Sequence, residues 1–215
     1  MKYGIIGYSG RMGQEIERLF SESGHQLVYK KDEDGVEIIE SPELLIDFSL
    51  REAFPETIKI VKEQEVPLII GTTGLTDSDF EKLKETAEEV PIIQSFNFSI
   101  GINILSELIN KVNQYVDEEW DIEISETHHR FKKDKPSGTA IMLGDLIDRE
   151  LEMHSKRLGS EFGEHQVDFA STGEIISLKH RAYSREAFSR GVLMSAENIS
   201  DLDAGLYSFK DILNK

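Results

Sequence analysis

The sequence predicts an α/β protein with two domains, a doubly wound parallel sheet and a smaller α+β domain built on an open mixed sheet. Up to about residue 97, short continuous apolar runs alternate with stretches of helical periodicity. This order is typical of a parallel sheet that helices cover on both faces. After about Phe98 the strand-like segments instead alternate apolar and polar residues. Such alternation indicates a sheet with one exposed face.

The elements of the first domain follow one another at short intervals. Strands are expected at residues 2–7, 26–30, 43–48, 67–71 and 91–94, and helices at 11–23, at 51–65 and from Thr76 onward. In the first helix, Met12, Ile16, Leu19 and Phe20 recur at helical spacing. Right-handed crossovers between parallel strands then give a doubly wound topology.

The second domain is expected over residues 98–191, with residues 192–215 returning to the first domain. Its expected helices cover residues 102–116 and 138–151, and its expected strands cover residues 120–127, 166–170 and 174–180. We expect an exposed loop at residues 159–165 and a helical stretch from Arg185 to Leu213.

Composition and charge exclude several classes of function. The chain of 215 residues contains no cysteine, so disulfides, thiolate nucleophiles, Cys-ligated zinc and iron–sulfur clusters are excluded. A net charge of -17 repels nucleic acid and anionic lipid, and neither is expected as a partner. No signal-peptide core or membrane span is evident, so a cytoplasmic location is expected by elimination.

A glycine-rich turn, GYSGRMG at residues 7–13, lies between the first expected strand and helix. Gly7 permits a tight turn, Gly10 lets backbone amides approach a pyrophosphate, and Gly13 lets the helix pack against the sheet. The helix N-terminus then presents free N–H groups to the phosphates. The pattern predicts dinucleotide binding, and the alternative is a glycine turn needed only for packing.

The end of the second expected strand bears on the choice of cofactor. An acid usually holds the adenosine ribose there, whereas this strand ends in Lys30 and Lys31, followed by Asp32. Because a lysine such as Lys31 can pair with a 2′-phosphate, we expect NADPH to be accepted, alone or alongside NADH. The alternative is that both lysines are solvated.

Two further segments follow strands at the expected ligand edge of the sheet. Gly71, Thr72, Thr73 and Gly74 follow one strand, and residues 95–98 (SFNF) follow the next. The first segment could hold the nicotinamide end of the cofactor, although each segment alone is more often an ordinary turn. Asp47 and Ser49 end another strand and are expected to face the same crevice, unless Ser49 is a helix cap.

The segment ETHHRFKKDKPSGTA at residues 126–140 combines adjacent histidines, a basic run and a helix start. Free amides near Gly138, the Thr139 hydroxyl, and the side chains of His129 and Lys132 could hold carboxylates, which leaves His128 free to transfer a proton. A solvated basic loop is the alternative. No metal is expected, because adjacent histidines on a strand point to opposite faces. The remaining histidines are interpreted as structural or surface residues: His25, His154, His165 and His180.

Over nearly its whole length, the chain resembles the dihydrodipicolinate reductase family. The resemblance rests on GYSGRMG at 7–13, LIDFS at 45–49, GTTG at 71–74, NFSIGIN at 97–103, ETHHRFKKDKPSGTA at 126–140 and HRAYSREAFSRG at 180–191. It implies a Rossmann-like first domain, a substrate domain whose sheets form a homotetramer, and reduction of a cyclic unsaturated imine dicarboxylate by NADH or NADPH in lysine and diaminopimelate biosynthesis.

The resemblance also implies roles for individual residues. By position, His128 is the acid/base residue and Lys132 the second proton donor, and His129, Lys132, Gly138 and Thr139 hold the substrate carboxylates. The residues implied to contact the cofactor are Gly7, Tyr8, Ser9, Gly10, Arg11, Met12, Gly71, Thr72, Thr73, Ser95, Phe96, Asn97 and Phe98. Closure of the two domains on the substrate is expected, with a hinge near residues 98–101.

Two rival interpretations remain open from the sequence. A dehydrogenase acting on a hydroxy acid would not need the HHxxK and SGT pairing, and the missing cysteine excludes aldehyde oxidation through a thioester. The other rival is a dinucleotide sensor or scaffold that keeps the fold without turnover. Such a protein could lose His128 and Lys132, and both are present here.

Overall fold

The computed structural model describes residues 1–33 and 35–215. The described chain divides into two compact units, one formed by Met1–Ser99 and Phe188–Lys215 and the other by Ile100–Ala187. Each unit has its own sheet and its own hydrophobic core.

The first unit is built on a mostly parallel sheet. Its strands are β1 (Lys2–Ile6), β2 (Gln26–Asp32), β3 (Gly35–Ile38), β4 (Leu44–Asp47), β5 (Leu68–Ile70), β6 (Pro91–Gln94) and β11 (Gly205–Ser208). Across the described residues the sheet has seven strands in the order β11-β6-β5-β4-β1-β2-β3, and only the edge strand β3 pairs antiparallel. The expected doubly wound α/β fold is confirmed, and β3 is an addition that the sequence did not predict.

Helices cover this sheet because their apolar residues recur on one face. They are α1 (Arg11–Glu22), α2 (Phe54–Gln64), α3 (Asp77–Ala87), α6 (Glu186–Asn198), which begins in the second unit, and α7 (Phe209–Leu213). Helix α1 buries Gly13, Ile16, Leu19 and Phe20, close to the expected set. Thr76 starts α3 with a capping box, as its side chain and that of Asp79 each bond the other's backbone N–H.

The strand order places a topological switch point beside β1. The chain proceeds from β1 to β2 on one side and later returns to β4 on the other side. In an open α/β sheet, ligands bind at the carboxyl ends of the strands where the order reverses. The fold therefore positions a site after Ile6 and Asp47, the last residues of β1 and β4.

The second unit is built on an open mixed sheet, as expected. Its elements are α4 (Ile100–Asn113), β7 (Asp121–His128), α5 (Gly138–Gly144), β8 (Glu152–Arg157), β9 (Gly163–Ala170) and β10 (Ile175–Ala182). Within the described chain this sheet has four strands in the order β10-β9-β7-β8, with β7 parallel to β8 and antiparallel to β9. Alternate residues of β7 and β9 are buried in a core that includes residues of α4 and α5, among them Ile109 and Leu143.

Three expectations about this half of the chain were wrong. The C-terminal stretch is not helical throughout, because β11 at Gly205–Ser208 pairs with β6 as an edge strand. The expected helix 138–151 ends at Gly144 and is followed by β8, whose sequence EMHSKR has no apolar run that marks a strand. The expected exposed loop 159–165 overlaps β9, where Gly163 and His165 are buried.

None of the helices in the described ranges is long and apolar enough to cross a membrane.

Candidate active site

The glycine-rich turn joins β1 to α1 and has a conformation that only glycine adopts easily. Gly7 has φ +81°, and its N–H donates to the carbonyl of Lys31 at 2.9 Å. A Cβ atom on Gly7 would lie 2.9 Å from the carbonyl oxygen of Phe48. The turn is therefore pressed against the neighbouring strand ends, with no room for a side chain at Gly7.

The same close packing holds the start of α1. A Cβ atom on Gly13 would lie 2.6 Å from the carbonyl oxygen of Tyr8. The helix begins after Gly10, so its first N–H groups have no carbonyl partner within the helix. A turn without side chains in front of free amides suits a dinucleotide pyrophosphate. The residues present therefore fit the pyrophosphate of a dinucleotide.

A cavity of about 570 Å³ lies beside this turn in the first unit. Of the residues predicted to contact the cofactor, Gly7, Ser9, Gly10 and Lys31 line it. Tyr8, Arg11 and Met12 belong to the same turn and the start of α1 without lining the cavity. Acidic residues form much of the remaining polar lining: Asp32, Glu33, Glu52 and Glu56.

The two lysines at the end of β2 have different surroundings. The ammonium group of Lys31 lies 2.9 Å from Glu56 and in the cavity lining. Lys30 instead lies over the ring of Tyr8, with 4.7 Å from Nζ to the centroid, and 3.8 Å from Glu37. Asp32 supplies the acid usual in this fold and accepts a hydrogen bond from the Ser9 N–H at 2.9 Å. The end of β2 thus presents both an acid and a lysine beside the glycine turn.

The segment after β5 is fastened to a buried carboxylate. Asp47 accepts hydrogen bonds from the hydroxyls of Ser49 at 2.5 Å, Thr57 at 2.7 Å and Thr72 at 3.1 Å. A Cβ atom on Gly71 would lie within 2.5 Å of the ring of Phe48. The Thr72 hydroxyl is therefore already engaged with protein, whereas Thr73 is exposed.

The segment after β6, residues 95–98, is only partly exposed to solvent. Ser95 donates from its hydroxyl to the Asn97 carbonyl at 3.0 Å, and the Asn97 side-chain oxygen accepts from the Ser99 N–H at 2.9 Å. Phe96 is 55% exposed, whereas Phe98 is 2% exposed and packs on Phe48 and Phe209. The Phe98 side chain is thus a core residue. Neither residues 71–73 nor residues 95–98 line the cavity beside the glycine turn.

In the second unit, a buried carboxylate lies at the end of β7. Glu126 is 1% exposed and accepts a bidentate pair of hydrogen bonds from the Arg157 guanidinium, both at 2.8 Å. His128, two residues later on the same strand, places its Nδ1 at 2.5 Å from Glu126 Oε2. No sequence pattern predicted a functional role for Glu126 or Arg157.

The Glu126–Arg157 pair also holds the segment that contains the other predicted residues. The N–H of Ser137, the N-cap of α5, donates to Glu126 Oε1 at 3.2 Å. Arg157 donates to the backbone carbonyls of Lys132, at 3.2 Å, and of Asp134. The pair therefore connects the histidine, the basic run and the helix start, which the sequence alone could only place near one another along the chain.

The environment of the pair sets the charges of its members. Burial raises the pKa of Glu126, but hydrogen bonds from Arg157, Ser155 and His128 outweigh it and lower the pKa to about 2. Burial lowers the pKa of His128, while Glu126 acts in the opposite direction and Lys132 and Arg157 lower it further. The carboxylate is thus ionised at neutral pH, and the imidazole is easily deprotonated.

His165 on β9 contacts this group, although the sequence showed no special context for it. Its ring lies 5.1 Å from that of His128, and its Nε2 lies 3.1 Å from the Ser137 hydroxyl. Burial, followed by the charge on His128, lowers the pKa of His165 to about 3, so it stays neutral. A Cβ atom on Gly163 would lie 3.1 Å from His128 Nε2, so this glycine leaves space beside that nitrogen.

The predicted carboxylate-binding residues surround the same segment. Lys132 places its ammonium group 2.8 Å from Asp134. The Nδ1 atom of His129 is buried and has no hydrogen-bond partner among the described residues. Gly138 is exposed with open space around it, and Thr139 is half-buried beside it.

The described part of the chain also contains a group that could hold a metal ion: Glu123, Glu152 and His154. All three are exposed, and the group includes neither His128 nor His129.

The fold and the arrangement of the predicted residues are those expected of a two-domain nicotinamide-dependent oxidoreductase. Comparison with known proteins specifies it further. The family model "Dihydrodipicolinate reductase, N-terminus" matches residues 1–98, and "Dihydrodipicolinate reductase, C-terminus" matches residues 101–213. The chain therefore belongs to the dihydrodipicolinate reductase family.

Individual relatives agree with this assignment. The 4-hydroxy-tetrahydrodipicolinate reductase of Thermosipho africanus is 45% identical over 215 residues, covering 100% of this chain and 99% of the relative. That of Zymomonas mobilis is 37% identical, covering 99% and 97%. The solved structure of dipicolinate-bound dihydrodipicolinate reductase from Paenisporosarcina has a TM-score of 0.83 at 24% identity and covers 99% of both chains. That structure supports the fold.

Removing the cation of the buried pair should destabilise the protein in a pH-dependent way. Arg157→Leu leaves the buried, ionised Glu126 without its cation, and we expect a loss of about 3–5 kcal/mol at pH 7. In the wild type, the stabilisation from ionised Glu126 is complete above its unfolded-state pKa near 4.5 and is lost as pH falls toward about 2. The difference between the two proteins should therefore shrink as pH falls. Urea denaturation at neutral and acidic pH measures it.

The double variant Glu126→Gln/Arg157→Leu is the matched control, since it removes both charges and should be more stable at pH 7 than Arg157→Leu alone. Equal stabilities of the wild type and Arg157→Leu at pH 7 would contradict the assigned pair.

Proposed function

We propose that this chain reduces a cyclic unsaturated imine dicarboxylate, dihydrodipicolinate or its hydrated form 4-hydroxy-tetrahydrodipicolinate, to tetrahydrodipicolinate in lysine biosynthesis, using NADPH, NADH or both. The observation that carries the proposal lies in the segment that resembles the family most specifically. His128 contacts the buried Glu126 carboxylate there, and Arg157, the partner of that carboxylate, holds the backbone of Lys132. A relative that is 45% identical carries the name of this activity.

We also propose a separate function for each domain. Residues 1–97 and 192–215 bind the dinucleotide, and residues 98–191 bind the substrate and form a homotetramer in the cytoplasm. The compact units of the structure divide the chain within a few residues of these bounds. The exposed side chains of Ile175 and Ile176 on β10 favour burial of the second sheet between subunits.

The cofactor would be held mainly by backbone groups. Gly7 to Met12 would hold the pyrophosphate, and the exposed parts of residues 71–73 and 95–98 the nicotinamide end. Lys31 would pair with a 2′-phosphate and Asp32 with a ribose hydroxyl. The bound nicotinamide supplies the hydride.

The carboxylates of the substrate would be held by the second unit. Lys132 offers an ammonium group, His129 an imidazole, and Gly138 and Thr139 backbone N–H groups and a hydroxyl. In a protein of net charge -17, these donors make a local site for an anion.

His128 would supply the proton that the reduction requires. Hydride addition to a conjugated imine leaves an electron-rich enamine, which must accept a proton on carbon. His128 loses its proton readily because burial lowers its pKa, and bound carboxylates would raise that pKa again when substrate is present. Lys132 would be the second proton donor.

The proposal is tested by substrate-dependent oxidation of NADPH and NADH at 340 nm. The cyclic substrate is made in situ from aspartate semialdehyde and pyruvate by a coupled synthase. We expect His128→Gln to lower kcat by about 10²- to 10⁴-fold, the usual contribution of general acid–base catalysis, with cofactor binding retained. Lys132→Ala should lower kcat/KM for the dicarboxylate.

Matched controls are Lys133→Ala, an exposed lysine next to Lys132, and His154→Gln, an exposed histidine of the same sheet. Both should retain activity. Tight cofactor binding by the wild type without oxidation would support a dinucleotide sensor. Turnover of a hydroxy acid in place of the imine would support the rival dehydrogenase.

The residues that line the cavity predict how the KM values for NADPH and NADH respond to substitution. Lys31→Ala should raise KM for NADPH about tenfold, the effect of one charge-assisted hydrogen bond, and leave KM for NADH unchanged. Glu56→Gln frees Lys31 from its ion pair and should lower KM for NADPH. Lys30→Ala is the matched control, because Lys30 faces Tyr8 and Glu37. Equal effects of the two lysine substitutions would contradict the assignment of Lys31.

A further inference from the structure

We propose that Glu126 is a positioning residue, which holds His128 as the Nδ1–H tautomer so that Nε2 is the nitrogen that exchanges a proton with the substrate. Arg157 keeps Glu126 ionised and in place. The inference deepens the proposed function and rests on it, because it assigns the atom through which His128 acts.

The hydrogen bonds around Glu126 fix the direction of its bond to His128. An ionised carboxylate only accepts, so the contact of 2.5 Å requires a proton on His128 Nδ1. Arg157 donates to both carboxylate oxygens, which keeps the group ionised. In neutral His128 the other nitrogen, Nε2, is then the unprotonated one.

The surroundings of Nε2 leave it accessible to a reacting partner. This nitrogen has no hydrogen-bond partner among the described residues, and the missing side chain of Gly163 leaves space beside it. Protonated His128 gives the proton on Nε2 to the substrate carbon and returns to the neutral Nδ1–H form. Solvent then restores the Nε2 proton, so the imidazole completes the cycle unchanged.

Glu126 also opposes the other influences on the charge of His128. Burial lowers the pKa of His128, and the cations of Lys132 and Arg157 lower it further, whereas Glu126 raises it. His165, which faces the same ring, is neutral. Removing the negative charge of Glu126 should therefore lower the pKa of His128 and reduce the fraction of His128 that is protonated at neutral pH.

The variant Glu126→Gln gives a specific outcome because Ser137 donates from its backbone. Two N–H donors, from the Ser137 backbone and the Arg157 guanidinium, point at Oε1 and cannot reverse their role, so the Gln carbonyl takes that position and its NH₂ group faces His128. A donor at that position forces the His128 proton onto Nε2. The tautomer of His128 is then inverted.

Nitrogen-15 NMR of histidine-labelled protein measures the tautomer directly, with the signal of His128 assigned by its loss in His128→Gln. We expect the Nδ1–H form in the wild type and the Nε2–H form in Glu126→Gln. Together with this inversion, kcat should fall about 10²-fold or more. Activity needs protonated His128 and is lost as pH rises through its pKa, so the descending limb of the kcat profile should move to lower pH.

Glu123→Gln is the matched control, since Glu123 lies on the same strand and contacts a histidine, His154, at the exposed surface. It should leave the tautomer, kcat and pH profile unchanged. Glu126→Gln leaves the buried Arg157 charge unpaired, which could unfold the protein. The double variant Glu126→Gln/Arg157→Met removes that charge as well. It should show the same inverted tautomer.

An unchanged tautomer in either variant, or an inverted tautomer with unchanged kcat, would overturn the role of Glu126. The tautomer is measured without substrate, so it decides this role even if the wild type fails to reduce the imine. That failure would instead remove the proposed function.

Discussion

The buried ion pair between Glu126 and Arg157 is the interaction on which the second unit depends. It joins the end of β7 to the end of β8 and fastens the intervening segment through the Ser137 N–H and the carbonyls of Lys132 and Asp134. A buried ion pair is weak evidence for stability, because desolvation offsets much of its attraction. Its consequence here is specificity of arrangement, since three separate parts of the chain are held around one carboxylate.

The first unit depends on a steric constraint instead. The glycine turn, the helix behind it and the strand ends beside it pack so closely that Gly7 and Gly13 have no space for a Cβ atom. The buried carboxylate of Asp47 holds the next loop through hydroxyl donors. Backbone amides rather than side chains are thereby presented to a ligand, which suits phosphates. The two units thus prepare their sites by different means, close backbone packing in one and a charged network in the other.

The sequence predicted the buried strands and the turn before α1, because each has a pattern within its own few residues. Continuous apolar runs marked the buried strands, and glycine spacing marked the turn before α1. Strand β11 was not predicted because its sequence GLYS has no strong strand pattern. It forms a strand because it pairs with β6. The role of Arg157 was not predicted because it is one charged residue in the polar sequence of β8, and its partner Glu126 is 31 residues away. An isolated charge that will be buried by a distant partner looks like a solvated one in the sequence.

In the proposed mechanism, His128 is held by Glu126 and donates its proton to a dicarboxylate bound in the second unit. A crystal structure of the protein with oxidised nicotinamide cofactor and dipicolinate tests this most directly. We predict a ligand carboxylate within hydrogen-bonding distance of Lys132 and Thr139, with His128 Nδ1 still bound to Glu126 and Nε2 directed at the ligand ring. A ligand bound away from this segment, or His128 rotated off Glu126 in the complex, would contradict it.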